Sequence, residues 1–158
     1  LAYFTGQRAG DVASMRWDHY DGQGVYVTQQ KTGAKLYVPA HYELRPYLDA
    51  WKAEAVSVYM VHREAGQPFT GEALSNWMHR AKKRAGIPET FHGLRKTATA
   101  RLAESGCSDR EIMAITGHTT ADMVTLYTQS ADQRRRALAA MGKQETMDRA
   151  SERAETGV

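Results

Sequence analysis

His92 and Arg95 stand three residues apart, so on a helix both side chains leave the same face, with Lys96 beside them. They belong to a basic stretch. From Arg80 to Arg101 the chain carries Arg80, Lys82, Lys83, Arg84, Arg95, Lys96 and Arg101 against the single acid Glu89. That is a net +6 in a chain whose total is only +3. Such a run is either a solvated helix face or the electrostatic footprint of phosphate binding. Other residues with chemistry to offer are scattered: Arg8, Lys31, His118 and Tyr127. Taken singly each has an ordinary explanation. Arg8 can be a solvated residue after a helix end, Lys31 a charge guarding a hairpin edge, His118 the start of a turn, and Tyr127 a core side chain beside Met123 and Val124.

These side chains need elements to hold them. Leu1 to Thr5 followed by Gly6 reads as the last turn of a helix with its glycine cap, and the absence of an initial Met suggests a fragment lacking its N-terminal portion. Asp11 to Met15 can form a short helix. Ser14 to His19, Gly24 to Thr28 and Lys35 to Val38 read as three strands, with Asp21-Gly22 as a turn and Lys31-Thr-Gly33 in the loop between the second and third. From Tyr42 the period becomes helical, with Leu44, Tyr47, Leu48, Trp51 and Ala55 on one face; Val56 to Val61 follows as an extended connection. Thr70 caps a helix through Ala73, Leu74, Trp77 and Ala81 that stops at Gly86 before Pro88. His92 to Ser105 is a second helix, ending at Gly106. Ser108 with Glu111 forms a capping box for a third, ending at Gly117. Thr119 with Asp122 caps a further one through Tyr127, and Ala131 to Met141 is the last. Gly142 to Val158 is polar, without aromatic residues, and reads as a frayed or disordered tail.

Composition bounds the alternatives. A chain of 158 residues with 42% hydrophobic and 25% charged residues can build one globular domain. No apolar run is long enough to span a bilayer and no signal peptide opens the chain. Cys107 is the lone cysteine, which excludes an internal disulfide and a four-cysteine zinc site. A cytoplasmic setting is therefore expected. Clustered carboxylates of the kind a metal-dependent nuclease needs are absent, and no metal or other cofactor is expected.

Order and spacing change the meaning of the scattered residues. Thr5-Gly-Gln-Arg-Ala-Gly-Asp11, Lys31-Thr-Gly33, Phe91-His-Gly-Leu-Arg-Lys-Thr97, Thr116-Gly-His118 and Leu126-Tyr-Thr128 occur in an order that resembles the catalytic domain of the tyrosine recombinase (phage integrase) family, over most of the chain. The resemblance implies a mixed, mainly α fold with a small three-stranded antiparallel sheet. It implies a catalytic domain at 1–141, truncated at its N-terminus and lacking the core-binding domain, with 142–158 as the tail. It implies site-specific recombination or integration by metal-independent transesterification, with Tyr127 as the nucleophile that forms a 3′-phosphotyrosyl intermediate. Arg8 and Arg95 would clamp the phosphate, since fixed guanidinium groups suit the charge that builds on its oxygens. Lys31 would protonate the departing 5′-oxygen. His92 and His118 would bond the phosphate and help remove the proton of Tyr127, because a phenol with an ordinary pKa of about 10 needs that help. Asp11 would orient the basic residues from behind. Arg80, Lys82, Lys83, Arg84, Lys96 and Thr97 would contact duplex DNA, and a homotetramer on DNA is expected for the full-length protein, the fragment alone being a monomer. The segment Ala131 to Met141 would dock on a neighbouring protomer through Ala137, Leu138 and Met141.

Thr116 departs from the leucine more often found before the Gly-His pair, which touches packing and leaves the chemistry intact. Two rival readings exist. A helix-turn-helix regulator without catalysis would use Ser108 to Tyr127 as its motif but gives Arg8, Lys31 and the hairpin no role. A type IB topoisomerase would share the chemistry without joining two duplexes.

Overall fold

The computed structural model describes residues 1–156 and is mainly helical. The short helices α1 (Ala2–Thr5) and α2 (Ala9–Ala13) open the chain. Gly6 ends α1 with φ 64°, a left-handed cap whose amide bonds Ala2 O. A Cβ at Gly6 would come within 3.0 Å of Thr116 Cγ2, so this glycine serves both the turn and a close contact.

The sheet has two strands, not the three expected. β1 (Gly24–Thr28) and β2 (Lys35–Pro39) pair antiparallel, with Tyr26 opposite Tyr37. The segment expected as a first strand coils into a 3₁₀ turn at Trp17–His19, held by the Arg16–Asp18 ion pair at 3.0 Å, and keeps only single bridges, Arg16 with Tyr59 and Tyr20 with Val25. The connection at Val56 to Val61 runs beside it through Trp17 N–H to Val58 O and Met60 N–H to Met15 O.

α3 (Arg45–Ala53) carries Pro46 in its first turn, where the fixed φ of proline suits the helix. It buries Leu48, as the chain buries Leu44 just before it, but Tyr47 and Trp51 are exposed, their rings 6.0 Å apart. The expected apolar stripe was too wide: a short amphipathic helix covering one hairpin buries one row. α4 (Gly71–Ala85) starts where the Thr70 hydroxyl accepts from Ala73 N–H and stops at the left-handed Gly86. α5 (Phe91–Glu104) is capped in the same way by Thr90, and α6 (Asp109–Thr116) by the reciprocal Ser108–Glu111 box.

α7 (Ala121–Thr156) is one continuous helix. The separate helix expected at Ala131 to Met141 and the tail expected beyond Gly142 are parts of it, because neither Gly142 nor the polar residues that follow break the backbone pattern. Gly157 and Val158 lie outside the described residues. Among the described residues, the buried side chains of α7 are Val124 and Thr128, in its first turns. Leu138 and Met141 are exposed.

Two cores result. The larger gathers Val12, Met15, Val25, Val38, Leu44, Leu48 and Leu74 around the hairpin, and the smaller joins Ala103, Ile112 and Val124 of α5, α6 and α7. α5 touches α1, α4, α6 and α7, so a side chain from its inner face reaches the middle of the molecule. Among the described residues no helix is long and apolar enough to cross a membrane.

Candidate active site

That inner face carries Arg95. Its side chain is 3% exposed, and Nη1 donates to Gly6 O at 2.7 Å and to Thr116 O at 2.6 Å. One guanidinium thus joins the cap of α1 to the last turn of α6. Its other terminal nitrogen, Nη2, is buried and makes no hydrogen bond among the described residues. A buried charged donor without a partner is costly and marks a place that an anion would satisfy. Burial, reinforced by Arg8, pushes the Arg95 pKa down to about 10, leaving it charged at neutral pH.

Arg8 precedes α2 and is partly exposed. Its Nη1 donates to Gln29 Oε1 at 3.1 Å and lies 3.8 Å from Asp11 Oδ2. Asp11 is buried on α2, and its Oδ1 accepts from Gln30 N–H at 2.9 Å. The carboxylate therefore stands between Arg8 and the start of the hairpin turn.

His118 follows Gly117, whose φ of 68° turns the chain out of α6. Its Nδ1 is 2.8 Å from Thr116 Oγ1, and that hydroxyl donates its one proton to Ile112 O at 2.7 Å. The hydroxyl can then only accept, so Nδ1 carries the imidazole proton and Nε2 is left as an acceptor with no donor among the described residues. Burial and the nearby cations Arg95 and Arg8 push the His118 pKa down to about 4, so the neutral ring is the resting form. Tyr127, half-buried on α7, has its ring centre 6.3 Å from that of His118 and 5.7 Å from Lys96 Nζ. His92 opens α5 toward solvent, its pKa lowered by partial burial and by Lys96, Arg95 and Arg8.

Five of the expected residues, Arg8, His92, Arg95, His118 and Tyr127, are thus linked by contact or by mutual electrostatics. Lys31 is not in that set: it is exposed on the hairpin turn, and the cations acting on the two histidines are Lys96, Arg95 and Arg8. Of the residues expected to meet DNA, Lys83 and Arg84 are exposed at the end of α4, while Lys82 donates to Pro88 O at 3.0 Å. Arg80 borders a groove of about 840 Å³ with Arg63, Asn76 and Trp77. A second groove, between α4 and the start of α5, runs past His79 and Lys82 to His92. Lys96 leans on Tyr127, and the Thr97 hydroxyl is turned back onto Gly93 O at 3.0 Å. Among the described residues no three His, Cys, Asp or Glu stand close enough together to hold a metal ion. The Gly117–His118 turn expected of a helix-turn-helix motif is filled from behind, because a Cβ at Gly117 would collide with the Gln29 amide.

Gln7 and Gln29, both completely buried, were absent from the expected site. Gln7 Nε2 donates to Thr5 O and Ile115 O, and Gln29 Nε2 donates to Gln7 Oε1 at 2.7 Å and Thr116 O at 2.8 Å. Their one signal in the sequence is adjacency: an amide next to Arg8 and another two residues before Lys31.

The chain as a whole is similar to known proteins. The chain is 34% identical over 140 residues to the integrase of Escherichia phage lambda, a match covering 80% of this chain and 39% of that protein. It is 30% identical to a shufflon-specific DNA recombinase of Escherichia coli, over 81% of this chain and 33% of the relative. The chain therefore spans well under half the length of these relatives. A lambda integrase (75–356) dimer bound to a COC′ core site superimposes with a TM-score of 0.67 at 30% identity, over 80% of this chain and 49% of that one. The XerA recombinase shares the fold, with a TM-score of 0.74 at 21% identity over 87% of this chain and 54% of that one. With the phage integrase family model matching residues 1–134, the chain belongs to that family.

Proposed function

We propose that this chain is the catalytic domain of a site-specific tyrosine recombinase, cutting and rejoining duplex DNA by metal-independent transesterification. The observation that carries the reading is the buried Arg95 guanidinium with its unpartnered Nη2, set near Arg8, His118 and Tyr127. The scissile phosphate would sit between the two guanidinium groups, where charge gained by its oxygens in the transition state meets fixed donors. The Tyr127 oxygen attacks phosphorus and its proton passes to the free Nε2 of His118, directly or through the phosphate. The bond from phosphorus to the 5′-oxygen breaks, and that oxygen takes a proton from Lys31. The product is a 3′-phosphotyrosyl link with a free 5′-hydroxyl, and attack by another 5′-hydroxyl reverses the steps without an outside energy source. His92 donates to a phosphate oxygen, and Asp11 holds Arg8.

Lys31 would reach the departing oxygen from the exposed hairpin turn that carries it. The exposed bases on α4, Arg80, Lys83 and Arg84, with Lys82, Lys96 and Thr97 nearer the site, would follow the phosphate backbone, which fixes position without reading sequence. A relative, lambda integrase, is known as a tetramer bound to a Holliday junction, and the full-length form of this protein would assemble in the same way.

The test is covalent trapping. Nicked duplexes with randomised cores are incubated with the protein in a chelator, and adducts are resolved under denaturing conditions. The wild type is expected to form an adduct mapped by mass spectrometry to Tyr127. Tyr127→Phe should form none while its duplex Kd stays within about twofold, because the phenyl ring is retained. An adduct that persists in Tyr127→Phe would overturn the assignment.

A further inference from the structure

Gln29 does more than fill a core. It is the residue after β1, and its backbone closes the turn that carries Lys31: Gln29 N–H donates to Ala34 O and Gly33 N–H to Gln29 O, both at 2.8 Å. Its side chain uses its whole hydrogen-bonding capacity in a site closed to water. Oε1 accepts from Arg8 Nη1 at 3.1 Å and from the Thr32 hydroxyl at 2.9 Å. Nε2 donates to Gln7 Oε1 at 2.7 Å and to Thr116 O at 2.8 Å. Thr116 O is also an acceptor for Arg95, and its peptide leads into Gly117 and His118. One amide thus touches the far side of the Lys31 turn, the Arg8 guanidinium and the strap before His118. An apolar side chain of the same length would fill the space without needing four partners, so packing alone does not account for an amide here.

We propose that Gln29 is a positioning residue that ties the Lys31 turn to the Arg8–Arg95–His118 cluster, setting where the Lys31 ammonium can deliver its proton. The inference rests on the recombinase reading above. A lysine on a flexible four-carbon stem, carried by a hairpin tip, would otherwise sample a wide volume. Anchoring both sides of the turn through Gln29 and Thr32 narrows it, and Gly117, lacking a Cβ, leaves the room that the amide occupies.

The experiment compares leaving groups. Wild type and Gln29→Met are assayed in single turnover on the trapped duplex, once with the natural 5′-bridging oxygen and once with sulfur in its place. A thiolate leaves without being protonated, so a defect confined to the proton donor disappears with sulfur. Gln29→Met is expected to cleave the oxygen substrate about 10- to 100-fold more slowly, the scale of a misplaced catalytic group. Its duplex Kd should stay within about twofold, and its deficit on the sulfur substrate should fall below about threefold. Equal deficits on both substrates would mean that Gln29 supports the fold or Arg8 alone, and would overturn the proposal. Thr32→Val, which cuts one tie on the Lys31 side and keeps the volume, should show the same pattern at about three- to tenfold even if Gln29→Met does not fold. Amide exchange without DNA separates this inference from the functional one. Residues 30–34 should exchange at least about tenfold faster in either variant than in wild type, with Tyr26 in mid-strand unchanged. If no duplex yields an adduct with wild type, the recombinase reading fails. Unchanged exchange in the turn would sink the positioning role whether or not the chain cleaves DNA.

Discussion

Replacing Arg95 with methionine should leave the folded protein close to its original stability while removing its activity. The side chain is 3% exposed and its pKa is pushed from the usual 12.5 to about 10. At 1.36 kcal/mol per unit, keeping the charge inside costs the empty protein about 3 kcal/mol. Against that stand the two bonds from Nη1 to Gly6 O and Thr116 O. Bonds from a charged donor contribute roughly 1.5–3 kcal/mol each. Thr116 O keeps Gln29 Nε2 as a donor after the substitution, so it is not stranded. Methionine is unbranched and fills irregular space. The gain of about 3 and the loss of about 3–6 kcal/mol nearly offset, giving a net destabilisation of at most about 3 kcal/mol. In the transition state nothing offsets the loss: removing one preorganised donor costs about 10²–10³ in rate, and the guanidinium presents more than one. Urea denaturation reads the first quantity and single-turnover trapping the second, with cleavage expected to fall at least about 10³-fold. A stability loss above about 5 kcal/mol would show that Arg95 is chiefly a strut between α1 and α6, and cleavage within about tenfold of wild type would refute its phosphate role.

His118, held at about 4, should be neutral throughout the physiological range in the empty protein. Since its folded pKa lies below the unfolded value of about 6.5, the unfolded chain binds the extra proton. Its contribution to stability is complete above that value and is lost as pH falls from about 6.5 toward 4. On the proposed function a bound phosphodiester would face Arg8 and Arg95 and reverse the local field, so DNA binding should raise the His118 pKa and be accompanied by proton uptake. An NMR titration of the imidazole Cε1–H with and without duplex checks this; a pKa unmoved by DNA would place the phosphate elsewhere. Gly117→Ala combines a left-handed φ of 68° with a collision against the Gln29 amide. It should cost at least about 2 kcal/mol in thermal unfolding. Gly33→Ala, with φ 69° and open space around it, should cost only about 1 kcal/mol. Equal losses at the two sites would mean that the Gln29 contact carries no weight.

What was legible in the sequence divides along the range of the interactions involved. Thr70, Ser108 with Glu111, Gly86 and Gly117 declare helix ends through bonds made within a few residues, and they stand where the chain alone places them. Arg8, His92, Arg95, His118 and Tyr127, which the structure links, stood out as candidates for another reason. Phosphate chemistry restricts residue type so severely that an ordered set of Arg, His and Tyr carries meaning even when each member alone does not. The third strand failed because strand pairing is non-local: nothing in Ser14 to His19 says that Tyr59 will meet Arg16 by a single bridge while Trp17 to His19 coils. Tyr47 and Trp51 failed because a periodic apolar face does not reveal how much surface its partner can cover. Gln7 and Gln29 are the instructive omission. A buried amide has no preferred spacing and no charge to betray it, and among its partners here are carbonyls 87 and 108 residues away in the chain. Candidate catalytic side chains are therefore easier to propose from sequence than the groups that would aim them, since chemistry limits the first to a few residue types and only the folded geometry selects the second.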